Sequence, residues 1–110
     1  MQHHAIDIPT EQETDIRAPR NGTVLKVVDN GLGYSYIVLE HPDGMQTIFG
    51  HISKSLVQEG DAVHIGQIIA KSGGTPGTQG AGLLTTGPHL HFAVKVNGVL
   101  VDPLKYMPKL

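Results

Sequence analysis

Turn formers cut this chain into short pieces. Fourteen glycines and seven prolines are spread through 110 residues, and no segment between them keeps a helical period. The pieces carry β-branched residues instead. GTVLKVVDN (22–30) ends at Asn30-Gly31, YSYIVLEH (34–41) follows the turn NGLG, and MQTIFGHI (45–52) follows Pro42-Asp43-Gly44. Turn residues between runs of this kind mark hairpins, so the three predict an antiparallel meander. VQEGDAVHIGQIIAKSG (57–73) reads as two short strands around a tight bend. HLHFAVKV (89–96) reads as a strand, and Asn97-Gly98 as the hairpin before VLVD. The expectation is an all-β fold in one domain over 1–110, an antiparallel sheet meander with a second small β-sheet. GGTPGTQGAGLLTTGP (73–88) has no regular pattern and predicts a long Gly-rich loop, of a length that compact domains keep for function. EQETD (11–15) reads as a polar loop, and the tail PLKYMPKL as at most one helical turn.

The rest of the composition works mainly by exclusion. With no cysteine, the fold has no disulfide and the thiolate zinc architectures drop out. The net charge is −2 and no basic patch stands out, which argues against nucleic acid and anionic membrane surfaces as partners. No run has the length of a membrane-spanning helix, so no membrane insertion is expected. Met1 is followed by polar residues, not by a basic and then apolar leader. Either the protein is made without a signal peptide or this is a domain of something longer. A monomer is the expected state.

Seven histidines are the richer signal, because imidazole is both the commonest metal ligand and the usual acid–base group near neutral pH. His89 and His91 are two apart in a strand, so they share a face. Roughly 6–7 Å separates such positions, which lets both work at one ion or side by side. The plain alternative is a pair of exposed histidines on an edge strand. Their place directly after a long glycine loop favours chemistry. His3 and Asp7 are four apart, and in a straight strand roughly 13 Å would separate them. Zinc needs both donor atoms within about 2 Å. Pro9 and the β-branched Ile6 and Ile8 disfavour a helix. A metal role therefore requires His3 in a turn, Asp7 at the mouth of a strand, and a bend carried by Ala5 and Ile6. The alternative for His3-His4 is a frayed end or tag remnant. His51 closes the third strand. His41 reads as a solvated turn residue, His64 as surface, and His4 as a bystander. One carboxylate and two or three histidines suit an open catalytic zinc site with a position left for water. The residues alone leave open which of His51, His89 and His91 complete it.

Taken in order, HHAID (3–7), GTV (22–24), GLGYSYIVLEH (31–41), FGHIS (49–53), VQEGDAVHIGQIIAKSGGT (57–75), TGPHLHF (86–92) and VDP (101–103) resemble the lysostaphin-type, LytM-like peptidoglycan metalloendopeptidases. The match spans nearly the whole chain. The resemblance implies a groove lined by loops, one of them the Gly-rich 73–85. It implies one zinc per chain on His3, Asp7 and His91, with His51 and His89 as the catalytic histidines beside the attacking water. It implies peptidoglycan peptides as substrate, and an extracellular, periplasmic or cell-wall location for the parent protein. Ala5, Phe49 and Ile52 depart from the family's usual glycine, tyrosine and leucine. Only Met1 and Gln2 precede His3, so a domain trimmed on its N-terminal side is expected, with an α-amine near the metal. Two other readings compete. One is a catalytically impaired domain of this type acting as a wall-binding or regulatory module, which predicts gaps in the five-residue set. The other is a biotinyl- or lipoyl-type carrier, suggested by 57–73, although Lys71 falls at a strand end and not at the exposed hairpin tip such carriers use.

Overall fold

The computed structural model describes residues 5–9, 13–31, 34–73 and 89–103, with the backbone alone for 5–9 and 89. In chain order the strands are β1 (Ala5–Pro9), β2 (Asp15–Arg17), β3 (Gly22–Val28), β4 (Tyr36–Glu40), β5 (Met45–Gly50), β6 (Ile52–Ser55), β7 (Ala62–Val63), β8 (Ile68–Ser72), β9 (His89–Val96) and β10 (Val99–Val101). A 3-10 turn, Pro42–Gly44, joins β4 to β5. Seven strands make a large sheet in the order β1-β9-β5-β4-β3-β7, with β10 also on β9, and β2-β8-β6 make a small one. All pairings are antiparallel. The all-β fold with a second small sheet is as the sequence predicts.

Alternation explains how the sheets meet. On β9, Leu90, Phe92 and Val94 are fully buried and turn toward the small sheet, which answers with Ile16, Ile52, Ile69 and Ala70. Phe49 and Phe92 are register partners on β5 and β9, and their rings lie 5.3 Å apart. Burial of such side chains stabilises by about 1.5–3 kcal/mol each, so this interleaved layer holds the two sheets together. The opposite face of β9 is then left to His91, and by strand periodicity to residue 89.

Three expectations change. MQTIFGHI is two strands, not one: β5 stops at Gly50, His51 takes a left-handed backbone with φ 58°, and Ile52 starts β6 in the other sheet. One left-handed residue redirects the chain without a longer loop, and histidine tolerates that conformation better than most side chains. EQETD is more than a loop. Asp15 opens β2, pairs with Lys71 on β8, and so helps seat the small sheet. Ala5 and Ile6 carry no bend, because they are in regular register with Ala93 and Phe92, inside a five-residue ladder. Asp7 is therefore mid-strand. The Gly-rich segment 74–88, the tail 104–110, His3 and His4 lie outside the described residues.

Candidate metal centre

Four strands bring one row of residues across the face of the large sheet that points away from the small one. Tyr36 on β4 faces Gly50 on β5, Gly50 faces His91 on β9, and His91 faces Asp7 on β1. Directly opposed residues of antiparallel strands share a face, with Cβ atoms about 4.5–5.5 Å apart. His89, the first residue of β9, is opposite Pro9 and two positions from His91. At His91 the strand is not an edge, since β9 has β1 on one side and β5 on the other.

His51 joins this row from the end of β5. Its left-handed backbone turns it off the strand path, and its carbonyl accepts a hydrogen bond from the Gly73 N–H at 2.7 Å. The His51 and His91 rings stand edge to face with centroids 6.0 Å apart. Both are half-buried. The register thus brings Asp7, His89 and His91 to one end of the sheet, and the fold brings His51 to the same end. His3 lies outside the described residues, as do the side chains of Asp7 and His89. Among the described residues, no group of three or more His, Asp or Glu side chains converges as a metal cluster.

Tyr34 is not among the residues that the sequence singles out. Its ring stands edge-on to His51 at 4.8 Å and to His91 at 6.2 Å, and lies 5.6 Å from Tyr36. It occupies the space over Gly50, where any Cβ would collide with it. The only trace of this in the sequence is an aromatic residue directly after the NGLG turn.

His41 corrects the expectation of a solvated turn residue. It is 4% exposed. Nδ1 is 2.8 Å from the Asn21 carbonyl and Nε2 is 2.8 Å from Thr47 Oγ1. A carbonyl only accepts, so Nδ1 carries the proton and Nε2 accepts from the threonine hydroxyl. Burial pushes its pKa below the ordinary 6.5, with Arg20 adding to that and the Asn21 bond opposing it. His64 is exposed, as expected. Lys71 sits inside β8, between β2 and β6, and is paired with Asp15. A carrier lysine needs an exposed hairpin tip, and Lys71 is in a strand and not at one, as the sequence reading expects.

Comparison with known proteins gives this geometry its context. An uncharacterized metalloprotease of Haemophilus influenzae is 41% identical over 103 residues, covering 93% of this chain and 20% of that protein. The peptidoglycan DD-endopeptidase ShyB of Vibrio cholerae is 36% identical over 105 residues, covering 96% of this chain and 23% of that protein. The chain therefore spans about a fifth to a quarter of these two relatives. The catalytic domain of the antimicrobial peptidase lysostaphin from Staphylococcus simulans superposes with a TM-score of 0.75 at 32% identity, over 94% of this chain and 77% of that one. Residues 1–103 match peptidase family M23. Motif order, the two-sheet fold and this match over nearly the whole length agree: the chain belongs to peptidase family M23, alongside lysostaphin.

Proposed function

We propose that this domain is a zinc-dependent endopeptidase that cuts peptide bonds of bacterial peptidoglycan, in a cross-bridge or a stem peptide. The observation that carries this reading is the register Asp7↔His91 across β1 and β9, with His51 at the neighbouring strand end. That register suits zinc. Ladder partners are close enough for a carboxylate and an imidazole to meet on one ion, and an oxygen and nitrogen donor set without thiolate is that of an open catalytic site. Family membership and the relatives' activities support the substrate class.

In this mechanism His3, Asp7 and His91 would hold the metal. Zinc, when bound, acidifies the attacking water and polarises the scissile carbonyl. His89 and His51 flank the reacting centre. One of them takes the proton from the water and returns it to the leaving amine. The other, when protonated, donates a hydrogen bond to the developing oxyanion. Leu90 and Phe92, buried in the core, fix strand β9 as a rigid mount, and such a mount would position groups on its other face before substrate arrives. The parent protein would work outside the cytoplasmic membrane, where its substrate lies.

The test is release of peptide fragments from purified sacculi by the zinc-loaded domain. Wild-type protein should release them, and His89→Ala should keep its zinc while release falls by about 10²–10⁴-fold. No release by zinc-loaded wild type would sink the enzyme reading and leave that of a binding or regulatory module. Unchanged turnover in His89→Ala would remove the role given to that residue.

A further inference from the structure

The row Tyr36–Gly50–His91–Asp7 has one gap, at Gly50, which has no side chain. We propose that Tyr34 fills this gap as a positioning residue, holding the His51 imidazole in its working orientation against His91. Three observations lead there. The Tyr34 ring is perpendicular to both histidines, at 83° to His51 and 82° to His91, while the two imidazoles are themselves at 84°. Edge-to-face pairs at such separations are attractive and directional, so the tyrosine ring selects one orientation of each neighbour.

Gly50 is shaped for that ring. A Cβ built there meets the Tyr34 side chain, with Cε1 at 2.8 Å, so the glycine is the seat on which the phenol rests. The third observation is the place of His51 in the chain. It lies between two strands on a left-handed residue, where the ladder that fixes side-chain direction along β5 has ended.

Tyr34 is itself well anchored from behind. The Asn30 side-chain amide donates to the Tyr34 carbonyl at 2.6 Å, the Asn30 N–H donates to Ser35 Oγ at 3.0 Å, and the Gly31 N–H donates to Asp29 Oδ1 at 2.9 Å. The Ile52 N–H donates to the Ser35 carbonyl, which ties this loop to the residue following His51. The β3–β4 connection and the β5–β6 junction are thus clamped together, with the Tyr34 ring as the part that reaches the site.

The catalytic consequence rests on the peptidase reading; the placement of the ring does not. Two readouts keep them apart. Ring-proton NOEs between His51 and His91, taken without substrate, should persist in Tyr34→Phe and vanish in Tyr34→Ala. They should vanish also in Gly50→Ala, which evicts the ring without removing it. In peptide release, Tyr34→Phe should stay within about 2-fold of wild type. Tyr34→Ala and Gly50→Ala should lose about 10–100-fold in kcat with little change in KM and unchanged zinc content, because a misplaced acid–base group slows the reacting step. The double variant should be no worse than either single one. Persistence of the NOEs in folded Tyr34→Ala, or a Tyr34→Phe defect as large as that of Tyr34→Ala, would overturn the proposal. If wild type cleaves nothing, the peptidase reading fails and the NOEs alone decide the placement of Tyr34.

Discussion

Strand β5 has a histidine beyond each end, and the two have opposite surroundings. His41 precedes it, separated by the 3-10 turn and tied back through its N–H to the Met45 carbonyl. Its ring is buried, with one nitrogen on the Asn21 carbonyl and the other on the Thr47 hydroxyl. His51 follows the strand, half-buried, on a strained backbone, packed edge-on against Tyr34 and His91. A histidine whose two nitrogens are both consumed in the interior has become part of the scaffold. His51 is held by ring contacts at a sheet end, beside His91. The two differ in what surrounds the ring, and not in residue type.

The sharpest way to break this contrast is to remove each ring in turn. His51→Ala should lower peptide release by about 10²–10⁴-fold, while its unfolding midpoint in urea stays close to wild type. His41→Ala should do the reverse. It leaves a buried hydroxyl and a carbonyl without their partner and opens a cavity, so about 2–4 kcal/mol of stability should be lost with kcat per folded molecule unchanged. Equal kcat losses in the two variants would erase the distinction. Thr47→Val is a milder cut at the same place. Thr47 is fully buried. Deleting its hydroxyl strands Nε2 of His41 and should cost about 1–2 kcal/mol by the same denaturation measurement.

Acid should find His41 next. Its folded pKa is below the unfolded 6.5, so between the two values the unfolded chain binds the extra proton. Its contribution to stability is complete above pH 6.5 and is lost as pH falls through the folded value. A plot of unfolding free energy against pH should therefore slope downward on acidification from about 6.5, and His41→Gln should flatten that part of the curve. An identical slope in the variant would assign the acid sensitivity elsewhere. The smallest effect belongs to the small sheet. Lys71 holds the Asp15 carboxyl below its usual 3.8, so that pair also weakens toward acid, but only below that value. Both partners are about a third exposed. Lys71→Met should leave the unfolding midpoint in urea close to wild type near neutral pH.

What the sequence made legible follows from the physics of each part. Strands such as β9 were readable to the residue because His-Leu-His-Phe-Ala-Val-Lys-Val alternates cleanly and Asn97-Gly98 ends it. The junction at His51 is not, because MQTIFGHI contains no turn-forming pair and a single left-handed residue leaves no compositional mark. Likewise, nothing local announces that His41 is buried: Asn21 reaches it from just before β3 and Thr47 from within β5, 20 and 6 residues away. Tyr34 carries no local signal for the same reason, since its placement depends on an absent side chain at Gly50, on the neighbouring strand. The opposition of Asp7 and His91 is a register, and register is set by long-range pairing that a motif only hints at.

The central claim is that the β1–β9 end of the sheet holds a catalytic zinc and the His41 end holds none. Metal analysis of the purified protein tests it most directly. Wild type and His41→Gln should each carry about one zinc per chain, and Asp7→Ala and His91→Ala should carry essentially none. Full zinc occupancy in both ligand variants would contradict the account.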